Sequence, residues 1–140
     1  MLEKQKRLLV VDDESVVAEF MSRVLSKQGF AVDVATNGEA AKGLLEINDY
    51  ELLIVDIRMP KMNGRQLYDY IKTSYPALAN RVVFTSGEMV DAGTVSFLAS
   101  ENRPFLNKPF GSEALRATVG KTLQAIDRKS EIGTTHPAIK

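Results

Sequence analysis

Short apolar runs alternate along this chain with stretches in which apolar residues recur at helical spacing. Four runs cover residues 8–11, 52–55, 82–84 and 104–106, and residues 30–35 alternate apolar with polar or small positions. Runs of this length bounded by polar residues are typical of buried strands in a parallel sheet. The stretches between them predict helices, most clearly the first, whose apolar stripe is Val17, Phe20, Met21, Val24 and Leu25. The alternation indicates five βα units and an α/β fold.

Turn-forming residues mark where the predicted elements begin and end. The pair Asn37 and Gly38 starts the second helix. Residues 59–64 combine proline, asparagine and glycine, which predicts a loop, and the third helix is expected to end before Pro76. A weaker helix of about ten residues is expected after Asp91.

The apolar pattern continues through one last helix and then stops. That helix carries Leu115, Val119, Thr122, Leu123 and Ile126 at helical spacing. Residues 128–140 are polar and include Gly133 and Pro137, a composition typical of a disordered tail or a linker. We therefore predict one domain over residues 1–127, followed by a polar tail or linker stump over residues 128–140.

Composition narrows the classes of function. The 140 residues contain 18 Lys plus Arg and 18 Asp plus Glu, so the formal net charge is zero. Electrostatic attraction therefore does not favour direct contact with nucleic acid or a membrane. There is no cysteine, which excludes disulfides, thiolate metal sites and thiol nucleophiles and suits a reducing compartment. The apolar run at residues 8–11 is too short for the core of a signal peptide. We expect a soluble, cytoplasmic protein.

Reactive side chains stand where the predicted strands end. Asp12 and Asp13 follow the first run, Asp56 follows the third strand, Thr85 follows the fourth, and Lys108 comes just after the last. Because parallel strands end at one edge of the sheet, these side chains are expected to converge there. Three carboxylates in one place repel each other unless a cation lies among them, and an all-oxygen set suits Mg²⁺, with Mn²⁺ as an alternative.

This set of residues suits phosphoryl chemistry. A carboxylate positioned at a cation, here Asp56, can attack phosphorus while the metal and Lys108 neutralise the phosphoryl oxygens. Ordinary structural roles stand beside this interpretation. Asp12 and Asp13 could cap a helix, Thr85 is a common strand residue, and Lys108 could be a surface lysine.

From about residue 7 to residue 127 the chain resembles the receiver domain of the bacterial response-regulator family. The resemblance rests on five motifs in this order: Asp12-Asp13, Leu53-Ile54-Val55-Asp56-Ile57-Arg58-Met59-Pro60, Gly64, Thr85-Ser86-Gly87 and Phe105-Leu106-Asn107-Lys108-Pro109-Phe110. It implies a flavodoxin-like, doubly wound (βα)₅ three-layer sandwich with strand order 2-1-3-4-5. It also implies a phosphorelay role, in which Asp56 accepts a phosphoryl group from a histidine kinase or histidine phosphotransfer protein.

The resemblance assigns further roles residue by residue. Asp13 and Asp56 would ligate Mg²⁺ directly, Asp12 through water, and Arg58 through its backbone carbonyl. Thr85 and Phe105 would form the conformational switch, and the Lys108–Pro109 peptide bond would be cis. An output domain or partner would contact the face formed by helix 4, strand 5 and helix 5.

Some positions depart from the commonest family pattern or leave alternatives open. Arg58 and Gly87 stand two residues after Asp56 and Thr85, where neither offers a carboxylate or amide to orient a hydrolytic water, so the phosphoryl lifetime is open. Residues 84–87 and 103–110 are similar to receivers attached to hybrid sensor kinases. A haloacid-dehalogenase-type phosphatase would need an acid at position 58, and a nucleotide-binding module would need a glycine-rich first turn. A receiver-like interaction module that is never phosphorylated remains the main alternative.

Overall fold

The structure, a computed structural model, describes residues 5–87 and 91–135. Strands and helices alternate in the order β1 Arg7–Val11, α1 Ser15–Lys27, β2 Ala31–Ala35, α2 Gly38–Ile47, β3 Leu52–Asp56, α3 Gly64–Ser74, a 3₁₀ helix Pro76–Arg81, β4 Val82–Ser86, α4 Ala92–Glu101, β5 Phe105–Asn107 and α5 Ser112–Thr135. The five strands form one parallel sheet in the order β2-β1-β3-β4-β5. The predicted fold class and strand order are confirmed.

The sheet separates two apolar cores. Alternate residues of β1 point to opposite faces, so Leu9 and Val11 join one core while Leu8 and Val10 join the other. The first core is covered by α2, α3 and α4, and the second by α1 and α5. All of β3 and β4 is buried, as the continuous apolar runs predicted.

Helix α4 is attached to the body mainly through one aromatic side chain. Phe97 is its only buried residue. The Phe97 ring packs edge-on against Tyr68 of α3 and Phe84 of β4, with centroid distances of 5.7 and 5.5 Å. Tyr68 and Phe84 also meet edge-on at 5.4 Å, so three elements share one ring cluster. A second link joins α3 to α4, because Glu101 accepts hydrogen bonds from the Tyr68 hydroxyl and Lys72.

The predicted tail differs from what is observed. Helix α5 continues to Thr135, so residues 128–135 are helical where the sequence indicated an irregular tail. Among the residues of α5 whose side chains are described, Ile126 is the last buried one, and the predicted apolar pattern stops there. Arg128, Lys129 and Glu131 have good helix propensity, and the next proline comes only at position 137, so no proline interrupts the helix before Thr135. Residues 136–140 lie outside the described residues. The domain boundary at residue 127 stays a prediction.

Gly64 is required by close packing at the start of α3. A Cβ atom at this position would lie 2.5 Å from the Asp56 carbonyl oxygen and 2.7 Å from Ile57 Cα. The Gly64 amide also donates a hydrogen bond to the Ile57 carbonyl at 2.8 Å. Backbone atoms cannot withdraw as a flexible side chain can, so the loop after β3 fits only glycine here.

We expect Gly64→Ala to lower the free energy of unfolding by about 1–3 kcal/mol, because the new methyl group forces the backbone of β3 and α3 apart. Gly43→Ala is the matched control. Gly43 lies in α2, and no atom other than those of its chain neighbours and nearby helix backbone lies within 4 Å of the place that a methyl group would take, so alanine should stabilise the helix by about 0.5–1 kcal/mol. Urea unfolding of the two variants measures both changes. Equal effects of the two substitutions would contradict the packing argument.

Candidate functional site

The strand register brings the predicted site residues to one edge of the sheet. Asp56 pairs directly with Thr85 across β3 and β4, and Val11 pairs with Val55, which places Asp12 beside Asp56. The Lys108 amide donates to the Ser86 carbonyl at 2.8 Å, which fixes the chain just after β5. The edge is the carboxyl edge of the parallel sheet, where sites of open α/β folds lie.

Three acidic side chains converge at this edge. One carboxylate oxygen from each of Asp12, Asp13 and Asp56 lies within 4.8 Å of the others. Asp12 and Asp56 are buried, whereas Asp13 is exposed. Asp12 Oδ1 accepts a hydrogen bond from the Glu14 amide at 2.9 Å, a turn contact that precedes the first turn of α1, so Asp12 does not cap that helix. Oxygens from three acids at this spacing fit a divalent cation such as Mg²⁺.

Lys108 lies inside the acidic cluster. Its ammonium is 2.9 Å from Asp12 Oδ2, 2.9 Å from Glu14 Oε1 and 3.2 Å from Asp56 Oδ2, and its side chain is 10% exposed. These contacts exclude the surface-lysine interpretation. Burial lowers the pKa of Lys108, but the three carboxylates outweigh burial, so the pKa lies above that of an ordinary lysine. Lys108 therefore remains a cation beside Asp56.

The negative charge of the Asp56 carboxylate is only partly compensated by its neighbours. Burial raises its pKa first and the Asp12 carboxylate second, while Lys108 and the Arg58 amide lower it, and the net result is a pKa of about 6. The Arg58 amide donates to Asp56 Oδ1 at 3.2 Å. One ammonium therefore does not fully compensate the buried acids, and a divalent cation would supply the missing charge.

Two buried polar atoms of the site have no hydrogen-bond partner among the described residues. They are Thr85 Oγ1 and Asp12 Oδ2, the second of which contacts Lys108 as an ion pair only. Buried polar groups without partners are uncommon in folded proteins. A carboxylate oxygen in this position fits a metal ion, and a hydroxyl beside Asp56 fits a phosphoryl oxygen. The residues present thus suit both groups.

The switch positions lie next to this edge. Phe105 is half-buried and packs against the core that contains Phe84 and Phe97. The Lys108–Pro109 peptide bond is cis, which matches the expectation from the resemblance. The roles of Thr85 and Phe105 in switching, and of the Arg58 carbonyl in metal binding, stay predictions.

The sequence analysis missed Glu14. It stands at the N-cap of α1, but its side chain makes no capping hydrogen bond and instead contacts Lys108. The sequence carries one signal for this contact, because Glu14 stands at an N-cap position where Ser, Thr, Asp or Asn is usual.

An open cavity of about 740 Å³ lies over the site. Its lining joins Asp13, Asp56 and Lys108 to apolar residues of α1 and of the segment after β5, among them Val16, Phe20 and Phe110. Val16 is 81% exposed, as its position outside the buried stripe indicates.

The fold and site together define a class of protein domain, a parallel α/β sandwich with an acidic pocket at the carboxyl edge of its sheet. The sequence profile of the response regulator receiver domain matches residues 8–120. This chain belongs to that family, which acts in two-component signalling.

Similar proteins agree with this assignment. The regulatory protein AtoC of Escherichia coli is 30% identical over 133 residues, which cover 95% of this chain and 28% of AtoC. The transcriptional regulatory protein CusR of the same organism is 29% identical over 118 residues, 84% of this chain and 51% of CusR. This chain thus spans about half or less of these relatives. A receiver protein structure from Pseudomonas putida has a TM-score of 0.77 and 27% identity, covering 86% of this chain and 99% of that one. Attachment to a hybrid sensor kinase stays a prediction.

Within the described residues, no helix combines the length and apolar character needed to cross a membrane.

The raised pKa of Asp56 predicts how the metal-free protein responds to pH. The pKa rises from 3.8 to about 6 on folding, so the unfolded chain releases this proton first. Stability contributed by the protonated acid is fully present below pH 3.8 and is lost as pH rises towards 6. We expect Asp56→Asn to stabilise the metal-free protein at pH 7 by about 1–3 kcal/mol and to have little effect at pH 3.5. Urea unfolding with chelator present measures both values.

Asp69→Asn is the control for this prediction. Asp69 is an exposed acid on α3, and its replacement should change stability by less than about 0.5 kcal/mol at either pH. An Asp56→Asn protein that is less stable than wild type at pH 7 would show that the uncompensated charge has been wrongly assigned.

Proposed function

We propose that this chain is a phosphoacceptor receiver domain in which Asp56 takes a phosphoryl group from the phosphohistidine of a histidine kinase or histidine phosphotransfer protein. The observation that carries the proposal is the arrangement around Asp56. Its buried carboxylate lies beside Asp12 and Lys108, and the Thr85 hydroxyl, for which the described residues offer no hydrogen-bond partner, stands on the adjacent strand.

In the proposed reaction an Asp56 carboxylate oxygen attacks phosphorus and forms an acyl phosphate. The bond from phosphorus to the imidazole nitrogen breaks, and the imidazole leaves with that electron pair. Asp12, Asp13 and Asp56 would hold Mg²⁺ or Mn²⁺ with the Arg58 carbonyl. The bound cation would supply positive charge for the phosphoryl oxygens.

Lys108 and Thr85 would stabilise the product. Lys108 is protonated and 3.2 Å from Asp56, so its ammonium can neutralise a phosphoryl oxygen without crossing the site. Thr85 Oγ1 can donate the hydrogen bond for which it has no partner among the described residues. Gly87 lines the cavity beside Lys108 and has no side chain of its own, which leaves room there for a phosphoryl group.

The signal would leave through the face formed by α4, β5 and α5. Movement of Thr85 towards the phosphoryl group would shift the end of β4. Phe84 in this part of β4 pairs with Phe105 of β5, so the shift would reach Phe105. Helix α4 can respond because Phe97 is its only buried residue. The output attached to this face is a partner or a further domain.

The proposal makes the domain a switch and not a conventional enzyme, since its only reactions would be its own phosphorylation and dephosphorylation. A cysteine-free chain suits the reducing cytoplasm, where we propose that it acts.

Phosphorylation tests the proposal directly. A small acyl-phosphate donor with Mg²⁺ should add one phosphoryl group, which peptide mass spectrometry should locate on Asp56. Chelator should prevent the addition, and Asp56→Asn should abolish the label at that position. Lys108→Ala should still be labelled, because the cation screens the phosphoryl charge, but its Phe105 region should not rearrange.

Two outcomes would contradict this proposal. Label that persists undiminished in Asp56→Asn, or its complete absence in wild type, would favour an interaction module that is never phosphorylated.

The apolar side of the cavity over the site suits a helical phosphotransfer partner. Val16 is exposed and lines the cavity together with Asp13, Asp56, Phe20 and Phe110. Val16→Glu should slow transfer from the cognate phosphohistidine protein about tenfold or more, while labelling by the small donor continues. Ile47→Glu is the matched control, because Ile47 is 76% exposed at the far end of α2 and should leave both reactions unchanged. Loss of both reactions in Val16→Glu would indicate damage to the site instead.

A further inference from the structure

Glu14 uses its side chain for something other than its local helix. It occupies the N-cap of α1, and its carboxylate makes no capping bond. Instead Glu14 Oε1 accepts a hydrogen bond from Lys108 Nζ at 2.9 Å, across 94 residues of sequence. The side chain of Glu14 is 61% exposed, so burial does not force this contact. The Glu14 carboxylate thus forms an ion pair at the site and does not cap α1.

Lys108 reaches Glu14 because the backbone around it is fixed. Its amide is bonded to Ser86, and its aliphatic stem passes beside Gly87, where a Cβ atom would come within 3.4 Å of Lys108 Cδ. The ammonium then meets three carboxylates, those of Asp12, Glu14 and Asp56.

Glu14 differs from the other two partners of Lys108. Asp12 and Asp56 belong with Asp13 to the cluster whose oxygens lie within 4.8 Å of one another, and Glu14 does not. A divalent cation in that cluster would engage the charge of Asp12 and Asp56 and would repel the nearby ammonium. Glu14 would then be the one of the three acids still free to hold Lys108.

We propose that Glu14 is a positioning residue, the counter-ion that keeps Lys108 beside Asp56 while a divalent cation occupies Asp12, Asp13 and Asp56. The proposal rests on the metal site of the proposed function. By offsetting the repulsion between two cations, Glu14 allows the metal and Lys108 to act on the same phosphoryl group.

Calorimetric titration with Mg²⁺ alone tests this role without any phosphorylation. Glu14→Gln should weaken Mg²⁺ binding about two- to fivefold, the size expected of one exposed ion pair. Lys108→Ala should tighten binding, because the repelling ammonium is gone. Adding Glu14→Gln to Lys108→Ala should then change the affinity little, since Glu14 acts through Lys108.

Three further variants complete the experiment. Glu19→Gln, on the exposed side of α1 and paired with Arg23, should bind Mg²⁺ like wild type. Asp13→Asn removes a proposed ligand and should weaken binding more than Glu14→Gln does. Glu14→Asp keeps the charge but is one methylene shorter and suits the N-cap, so it should behave like Glu14→Gln.

The outcomes separate this proposal from the function itself. Unchanged affinity in Glu14→Gln, or a loss of equal size with and without Lys108, would overturn the positioning role while the metal site stands. A wild-type protein that binds no Mg²⁺ would overturn the metal site and this role with it.

Discussion

The site depends on one electrostatic constraint, the gathering of acidic side chains at a buried sheet edge. Asp12 and Asp56 are buried side by side, and charges removed from water are costly unless a partner of opposite sign is close. Lys108 is that partner, but it also serves Glu14, and Asp56 keeps a raised pKa. The folded domain thus holds a deficit of positive charge in the place where a cation and a transferred phosphoryl group would meet.

The same constraint explains why the site is built on and directly after the ends of paired strands and not on a long flexible loop. Register pairing places Asp56 beside Thr85 with both cores packed beneath them. Gly64 holds the loop after β3 against the Asp56 backbone. Rigid neighbours hold these like charges close together, although repulsion would otherwise move them apart. Burial of the apolar cores thus offsets the unfavourable free energy of the acidic cluster.

Much of this arrangement could be predicted from the sequence, because strand periodicity and residue type both act locally. Apolar runs that end at Asp56 and Thr85 indicate two strand ends, and parallel pairing brings them together. Contacts between long side chains that lie beyond the strand ends follow no such period. The pairing of Glu14 with Lys108 depends on how two distant loops meet, and the helical state of residues 128–135 depends on local propensity after the apolar stripe ends.

The ring cluster of Tyr68, Phe84 and Phe97 has a consequence for how motion is transmitted and observed. Phe84 directly precedes Thr85, and its ring packs edge-on against Tyr68 and Phe97. Because packed interiors transmit strain, a shift of β4 would press on Phe97, the buried anchor of α4. Neighbouring aromatic rings shift each other's proton resonances, so the cluster is a built-in spectroscopic reporter of the state of α4.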